Sequence, residues 1–455
     1  MIRFSPNPNR AHFVRWYEWD DDPFRLARNQ DKPVMLFLTA FWCRFCQRMD
    51  EEAFSDNENT ALLNAYFISI RCDNAQRPDI DTRYNRNGWP TIAFMTADGD
   101  LLSVANYLPS EQFGDLLVRV YTAYHEKKDR IGVLHRNAQE SGLDRQQCMN
   151  ERRPDLSAVE KIANQIIELA DREYGGYGHG QKFIQPQVND FLLARYEATK
   201  DPKYLDHVCL TLDRMRQSPM RDLVAGGYFR TCSGRDWSRP HREKLLAEQA
   251  GILANCVRTL RITQLPVYAR MAEELIAYLN ANLSDTATGA FYGCEDFLRK
   301  ENSEASSNEE FFSILDGCIY IDANAQIIVA YLDAAVTLPE PRCRARALHA
   351  LEFLWERLSD PKWCNGSLLR WRGARRRIAR RSGPRRKRPA KGLFNHPKYS
   401  ISRTGDDSRG IYSGAAEESS RGILRYRNTR SCSRRVPPDL DCAKRRGRFV
   451  LPDAC

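Results

Sequence analysis

The sequence predicts an α/β domain followed by a domain of paired α-helices, and three observations predict this fold class. The chain has 455 residues, which is too long for one hydrophobic core. Apolar, strand-like runs alternate with amphipathic segments over residues 13–127. From about residue 155 to 360 the strand patterns give way to repeated helical ones. We therefore expect domains at residues 10–127 and 155–363, joined by a polar linker at 128–154.

The first domain shows an order of elements that predicts a sheet flanked by helices. FVRWYEWDDDPFRLARNQD predicts an amphipathic helix, KPVMLFLTAF a buried strand, and residues 43–54 and NENTALLNAYF two helical segments. FISIRCD, GWPTIAFMT and LLSVANY predict three further strands, with ADGD as the hairpin turn before the last. SEQFGDLLVRVYTAYHEKKD predicts a closing helix.

The second domain repeats one pattern, in which an amphipathic helix is followed by a loop rich in glycine and aromatic residues. Seven segments between LSAVEKIANQIIELAD and EPRCRARALHALEFLWERLSD have apolar residues at i, i+3, i+4 and i+7. The loops between them include YGGYGHGQKF, AGGYFRTCSGRDW and TGAFYGCEDF. Helix pairs with such loops at one end predict a toroid of α-hairpins whose loops form a pocket.

The positive charge of the chain is confined to its last part. Residues 371–455 hold 24 Lys or Arg against 7 Asp or Glu, a net of +17, so the total of +10 leaves 10 − 17 = −7 for residues 1–370. The body therefore has no basic face for nucleic acid. Helical periodicity ends at about residue 363, so residues 364–455 are expected to be a disordered tail or the product of a reading-frame error. A nucleic-acid-binding arm is the functional alternative.

The sequence also excludes a membrane-spanning function. It has no run of 18 apolar residues. The N-terminal MIRFSPNPNRAHFVRWYEW lacks the apolar centre of a secretory signal, so we expect a cytoplasmic location with most of the 14 cysteines reduced.

Two cysteines, Cys43 and Cys46, follow the first buried strand at the expected start of a helix. The unpaired N–H groups and partial positive charge at a helix N-terminus favour thiolate over thiol, and Arg44 adds a cation. Cys43 is then the expected nucleophile of a disulfide exchange, with Cys46 as the resolving thiol and Trp42 as an apolar neighbour. Two alternatives stay open: inert structural thiols, or half of a zinc site.

The metal alternative needs two further ligands, and the sequence has no second Cys-x-x-Cys. Cys72 and His12 are the only loose candidates in the domain. The segment GWPTIAF favours the redox interpretation instead. Pro90, after Trp89 and before a strand, would present its neighbour's backbone to the sulfurs if its peptide bond were cis, so that an extended substrate could pair there.

These motifs resemble those of a known family. WCRFC, GWPT and the order of elements are similar to the thioredoxin superfamily, and residues 14–81 resemble the spermatogenesis-associated protein 20-like thioredoxin domain. GGYGHGQKF, GGYFRTCSGRDWSRPHREKLLAEQA and FYGCED resemble that family's second domain. The resemblance implies a thioredoxin-like domain followed by an (α/α)6-type six-hairpin barrel, here incomplete, similar to those of N-acylglucosamine 2-epimerases and six-hairpin glycosidases.

The loops of the second domain carry candidates for a pocket. Sugar isomerases and glycosidases use carboxylates or histidines as proton carriers above an aromatic floor. The candidates are His241, Glu243 and Lys244 at the expected start of a helix, Glu295 and Asp296, Asp322 and Asn324, Lys182, and the aromatic residues Tyr177, Tyr228, Phe229 and Trp237. In the structural alternative Asp322 is a helix N-cap, Glu243 and Lys244 are surface charges, and the aromatic rings pack between helices.

The sequence therefore predicts thiol–disulfide exchange at Cys43 and Cys46 with a protein or small-molecule partner, and Pro90 positioning the substrate. One rival is a carbohydrate-active enzyme that binds a sugar in the helical domain and uses the first domain for docking. The other is a non-catalytic interaction protein. No metal and no cofactor is expected for any of the three.

Overall fold

The computed structural model describes residues 2–126, 156–299, 311–359 and 368–369, all of which belong to one compact unit. Over these residues the predicted fold class is confirmed, because an α/β sheet domain is followed by a helical domain. The predicted linker and most of the predicted tail lie outside the described residues, and so does the question of whether the helical toroid closes.

The first domain is built on a five-stranded mixed sheet with the order β1-β3-β2-β4-β5. Strands β1 to β3 run parallel to one another, while β4 is antiparallel to β2 and β5 is antiparallel to β4. The three central strands are buried at every position. Burial on both faces explains the mostly apolar sequences of β2 and β4, whereas β3 also buries Ser69, Arg71 and Asp73. The strands are β1 Trp16–Tyr17, β2 Val34–Thr39, β3 Ile68–Asp73, β4 Thr91–Met95 and β5 Leu101–Ala105.

Five helices accompany this sheet, together with a 3-10 turn at Ala11–Phe13. They are α1 Asp21–Gln30, α2 Arg44–Glu51, α3 Asn57–Tyr66, α4 Pro78–Tyr84 and α5 Ser110–Glu126. The prediction for the first helix was wrong at its start, because Trp16 and Tyr17 pair with β3 and the side chain of Asp20 caps α1. Helix α4 was not predicted, since it has only seven residues and little periodicity.

A buried ion pair fastens α2 to the sheet. The Arg71 guanidinium on β3 donates to both carboxylate oxygens of Asp50 on α2, at 2.7 and 2.8 Å, and both side chains are almost inaccessible to solvent. The rings of Phe4, Trp16 and Phe37 lie within about 5 Å of the guanidinium. The pair therefore fixes the helix that follows Cys43.

The second domain contains seven helices among its described residues, together with a short π-helix, and they share one apolar core. They are α6 Leu156–Glu168, α7 Pro186–Thr199, α8 Pro202–Gln217, α9 Leu246–Thr263, α10 Pro266–Tyr278 with the π-helical Leu279–Leu283, α11 Ile321–Thr337 and α12 Pro341–Ser359. Helix α9 packs against α7, α10 and α11, and α11 also packs against α12. The antiparallel succession of amphipathic helices explains the periodicity seen in the sequence.

The same turn follows α6, α8 and the π-helix. In each turn an aspartate N–H donates to a carbonyl five residues later, and a glycine N–H donates back to the aspartate carbonyl at 2.9 or 3.0 Å. The glycines have positive φ, which disfavours other residue types. The three aspartate and glycine pairs are Asp171 with Gly175, Asp222 with Gly226, and Asp285 with Gly289.

The expectation that strands disappear after residue 155 was wrong. Most strands of the second domain have only two residues and so leave no periodic signal: β6 Lys182–Phe183, β7 Thr231–Cys232, β8 Pro240–His241, β9 Lys244–Leu245, β12 Ile319–Tyr320 and β13 Leu368–Leu369. The other two, β10 Cys294–Arg299 and β11 Phe311–Asp316, form an antiparallel pair, with β9 on the other edge of β10. Residues assigned to loops and to a helix start therefore lie on strands.

Candidate functional site

The two cysteines of the Cys-x-x-Cys motif lie where β2 leads into α2. Cys43 is the N-cap of α2, and its sulfur accepts a hydrogen bond from the backbone N–H of Cys46 at 3.1 Å. The structure pairs the two cysteines as a disulfide, with Cα atoms 5.2 Å apart. Exposure is only 5% for Cys43 and 1% for Cys46. The predicted position at a helix N-terminus is confirmed, and both sulfurs are buried.

Two of the three predicted positioning residues share the apolar cluster of the disulfide: Trp42 is a member of it and Trp89 packs against it. The rings of Trp42 and Trp89 meet edge to face, 5.2 Å apart, and the Trp89 indole donates to Asp81 at 2.8 Å. The Trp89–Pro90 peptide bond is cis. The Pro90 carbonyl accepts from the Asn106 amide at 2.8 Å. Their role in holding a substrate remains a prediction.

The helical domain lies directly over this site. Arg44, the first residue of α2, donates to Asp296 Oδ1 on β10 at 2.9 Å and also to the carbonyl of Phe297. The guanidinium of Arg230 stacks on the Trp42 ring, 4.1 Å from its centre. Cys294 belongs to the same apolar cluster as the two cysteines of the disulfide. Arg44 was predicted to act as a cation beside Cys43, but the structure directs its guanidinium to Asp296.

The N-terminal residues contribute a second junction between the domains. Arg3 donates to Asp316 Oδ1 at 2.7 Å and to the hydroxyl of Tyr320 at 2.6 Å, while its guanidinium lies over the ring of Phe41. Asp73 of β3 is 3.8 Å away. Burial alone would lower the pKa of Arg3, but the combined Coulombic attraction of Asp316, Tyr320 and Asp73 outweighs it and raises the pKa. This cation therefore stays charged at any pH that the protein survives.

Three carboxyl groups gather near Arg44 and Arg230. Arg230 Nε donates to Glu243 Oε1 at 2.8 Å. Glu248 Oε2 and Asp296 Oδ2 are shielded from solvent, and neither has a hydrogen-bond partner among the described residues. Desolvation raises the pKa of Glu248 to about 8 and that of Asp296 to about 6. Carboxyl groups with such pKa values change their protonation state near neutral pH, whereas ordinary surface carboxylates stay ionised there.

Lys244 is not a surface charge at the start of a helix, as the structural alternative held. It lies on β9, fully buried, and its ammonium group donates to Asp222 at 2.6 Å and to the Gly226 carbonyl at 2.7 Å. Desolvation lowers its pKa. The rings of Phe229, Tyr278 and Phe297 lie about 5 Å from the ammonium nitrogen. Through these two hydrogen bonds, Lys244 connects the turn after α8 to the strand before α9, and the three rings surround its ammonium group.

Lys182 makes the corresponding contact with the aspartate of the preceding turn, the one after α6. It is fully buried on β6, and its ammonium group donates to Asp171 at 2.7 Å. Arg235 donates to the same carboxylate, which lies in the turn after α6. The hydrogen bonds from Arg235 and Lys182 outweigh desolvation and hold the pKa of Asp171 well below its usual range.

The other candidate residues make contacts within the helical domain, and their part in a pocket remains a prediction. Tyr177 donates to Asn189, Tyr228 is buried, and Trp237 is buried with its indole donating to the Tyr174 carbonyl. His241 is exposed on β8 beside Ser233. Glu295 accepts from Tyr278 and Ser313, and Asn324 binds the backbone of Phe291 and Tyr320. Asp322 lies in the first turn of α11, whose N-cap is Tyr320, so the alternative that Asp322 is a cap was wrong.

Sequence reasoning missed Arg230 and Glu248 as members of the site. Arg230 lies in the loop AGGYFRTCSGRDW, where its neighbours gave no sign of a charged pair. Glu248 falls in the first turn of α9, where a carboxylate is usually a helix-dipole partner. Arg230 differs from an ordinary loop arginine because it contacts Trp42 of the first domain, which the sequence does not reveal.

The described residues give no support for a metal centre. No group of three or more His, Cys, Asp or Glu side chains among them converges in a way that could hold an ion. Cys72, one of the two loose candidates, is buried with its thiol toward the Asp73 carbonyl, and desolvation raises its pKa. Across the same residues, no helix has the length and apolar character needed to cross a bilayer.

Comparison with known proteins agrees with this two-domain arrangement. Residues 8–141 match the family model Thioredox_DsbH, described as a protein of unknown function, DUF255. Spermatogenesis-associated protein 20 of Rattus norvegicus is 28% identical over 318 residues, which is 65% of this chain. The chain is a relative of spermatogenesis-associated protein 20. It spans 40% of the length of that rat protein, and the Homo sapiens protein aligns with the same identity and coverage.

Two further likenesses concern one domain each. The thiol:disulfide interchange protein DsbD of Yersinia pestis is 34% identical over 97 residues, covering 19% of this chain and 16% of DsbD. Cellobiose 2-epimerase of Bacillus thermoamylovorans B4167 aligns with a TM-score of 0.36 and 16% identity, over 46% of this chain and 58% of the epimerase.

Proposed function

We propose that this relative of spermatogenesis-associated protein 20 carries out thiol–disulfide exchange at Cys43 and Cys46, with a protein or small-molecule partner. One observation carries the proposal. The sulfur of Cys43 caps α2, where it accepts the N–H of Cys46, and the two residues are close enough to form a disulfide. An N–H donor and the positive end of a helix stabilise a thiolate, which is the reactive species in exchange.

The roles of the residues follow from their positions. In the reduced protein the Cys43 thiolate attacks a partner disulfide, and Cys46 then attacks the mixed disulfide to release the partner as a thiol. Trp42 belongs to the apolar cluster that contains both cysteines and Trp89 packs against that cluster; together with Pro90 they would guide the partner chain. The similarity of the first domain to DsbD, whose name describes thiol:disulfide interchange, supports this reaction class.

The test is a redox titration of the full chain in glutathione buffers. The Cys43–Cys46 pair is quantified by alkylation and mass spectrometry of the peptide that contains both residues. We expect a reversible two-electron transition with a potential between about −270 and −120 mV, the range of catalytic dithiols. Cys72→Ser is the matched control and should leave the potential unchanged. A pair that stays reduced, or stays oxidised, across the whole series would refute the proposal.

A second candidate function rests on a different observation. Glu248 and Asp296 each hold a shielded carboxyl oxygen that lacks a partner among the described residues, and burial places their pKa values near neutrality. These are properties of general acids and bases, such as those that move protons on sugars. The first domain would then serve for docking, as the sequence alternative holds.

This candidate is tested by calorimetric titration of the full chain with glucose, mannose and cellobiose. Saturable binding that Glu248→Gln weakens, and that Glu274→Gln does not, would favour a carbohydrate-active domain. Glu274 is a suitable control because it is half-exposed and its ion pair among the described residues is with Arg221. Absence of binding to every sugar would count against it, and failure of both tests would favour an interaction protein.

A further inference from the structure

The disulfide lies under the helical domain and is shielded by it. Cys43, Cys46 and Trp42 are at most 8% exposed, although an attacking sulfur must approach along the line of the S–S bond. In the described residues, Arg230 and Asp296 of the second domain contact Trp42 and Arg44, the two neighbours of Cys43 in the chain. A protein substrate therefore cannot reach the sulfur in this arrangement.

The contact between Arg44 and Asp296 joins the two domains at the first residue of α2. The Arg44 side chain is 44% exposed, whereas the Asp296 side chain is fully buried. Removal of Arg44 would leave Asp296 as a buried carboxylate without its cation, which is costly. Moving β10 away from α2 would return that carboxylate to water. The stability of the contact between the two domains therefore depends on the charge state of Asp296.

A second contact acts in the same place. Arg230 packs its guanidinium against the Trp42 ring and donates to Glu243, whose side chain is 7% exposed. Cation–π stacking and a charge-assisted hydrogen bond hold this arginine at the edge of the disulfide. Both contacts are polar, which suits an interface that opens and closes more than one that is permanently buried.

We propose that the helical domain is a cover that must move away from Cys43 and Cys46 before a protein-sized substrate exchanges with them, and that the Arg44–Asp296 pair holds the cover closed. This inference rests on the proposed exchange function. It implies that the closed form reacts much faster with small thiols than with protein dithiols. In an open form this difference in rate should be far smaller.

The chemistry that the cover controls is a balanced two-electron reduction. The thiolate of a dithiol reductant attacks Cys43, a mixed disulfide forms, and Cys46 leaves as a thiolate that takes up a proton. The second thiol of the reductant then attacks the mixed disulfide. This releases Cys43 as a thiolate, and the reductant is left as its own disulfide.

The environment of Asp296 adds a pH signature. It is faced by Arg44 from α2, by Arg230 and Glu243 from the segments before β7 and β9, and by the N–H of Phe297. Burial raises the pKa of Asp296 to about 6. Arg44 acts against that rise, so in an Arg44→Ala variant the pKa of the buried Asp296 carboxyl should lie higher still. Opening should therefore become more favourable as the pH rises, and protonation at lower pH should restore the closed form.

The experiment compares two reductants on the full-length oxidised protein. Second-order rate constants are measured for dithiothreitol, a small dithiol, and for reduced thioredoxin, a protein dithiol, with wild type, R44A and R48A. Arg48 is a matched control because it lies on the same helix and, within the part of the chain that the structure describes, pairs with Glu52 and lies over the ring of Tyr107. Arg44 is half-exposed, so R44A is expected to fold, and R44K provides a milder second variant.

For R44A at pH 7.5 we expect the thioredoxin rate to rise on the order of tenfold or more, with the dithiothreitol rate changed less than about threefold. The gain should shrink at pH 5.5, and R48A should behave as wild type. Where both reagents reduce the disulfide, equal changes in the two rates, or no change in either, would overturn the cover, because an effect on the cysteines themselves would act on both reagents alike.

Hydrogen exchange of the backbone amides of residues 44–47 and 294–299 separates the two possible failures. If these amides exchange faster in R44A while the disulfide resists both reductants in every variant, the exchange function fails and the cover stands. If they exchange no faster in R44A than in R48A, the cover fails whatever the disulfide does.

Discussion

Replacing Asp50 by asparagine tests the ion pair beneath α2. Asp50 and Arg71 are 1% and 3% exposed at their side chains, and the two hydrogen bonds between them measure 2.7 and 2.8 Å. Asparagine keeps the shape of the side chain, but it removes the negative charge and one of the two acceptor oxygens. The guanidinium of Arg71 would then be buried with no countercharge.

The expected loss of stability is about 3–5 kcal/mol, the usual cost of removing one partner from a buried ion pair. A third hydrogen bond, from the Ser5 N–H to Asp50 Oδ2 at 2.8 Å, adds to the loss if the amide turns the wrong way. Single domains are stable by only about 5–15 kcal/mol, so the variant should be close to unfolding locally.

The assay is native-state hydrogen exchange of the β2 and β3 amides in the full chain, supported by urea unfolding. Asp98→Asn is the matched control, because Arg28 and Asp98 form the same type of pair with side chains 55% and 70% exposed. That control should cost no more than ~1 kcal/mol. Equal losses in D50N and D98N would refute the view that burial gives the Asp50 pair its importance.

Three further predictions concern the cysteines, a carboxyl group and a turn. Cys43→Ser should abolish exchange, whereas Cys46→Ser should trap a mixed disulfide at Cys43 that mass spectrometry detects. The pKa of Glu248 is raised from 4.5 to about 8, so the folded state binds more protons between these values and the free energy of unfolding should fall as pH rises through them. Glu248→Gln should flatten that slope in urea titrations at several pH values. In thermal unfolding, Gly227→Ala should lower stability by about 1–3 kcal/mol, because its φ is +74° and the new Cβ would lie 2.7 Å from an aromatic ring. Gly178→Ala should cost less in the same assay, because its φ of +76° is similar but the space around it is open.

Local pattern explains what the sequence could predict. The strand before Cys43 is apolar at every position except Thr39 because it is the centre of a sheet, and the helix after it begins at a residue able to cap it. Both signals lie within a dozen residues, so periodicity and capping rules were enough to place the disulfide. The same holds for the long helices of the second domain.

The remaining features depend on contacts that periodicity cannot report. Arg44 and Asp296 are 252 residues apart in the chain, and nothing near either residue indicates the other. Lys244 resembles a first-turn surface charge until three aromatic rings from distant segments enclose it. Strands of two residues, such as β9, are too short to alternate. The structural environment of these residues is therefore determined by partners distant in sequence and not by local propensity.

The hydrogen bonds of Arg3 have a consequence for how the molecule unfolds. They join residues 313 and 317 positions apart, so the first few residues hold the sheet domain to β11 and β12. Closing a loop of that length costs chain entropy that grows only slowly with length, and a charged, nearly buried contact can offset it. Heating should therefore melt both domains in a single calorimetric peak. Shortening the N-terminus by five residues should divide that peak in two, since each domain would then lose its order at its own temperature.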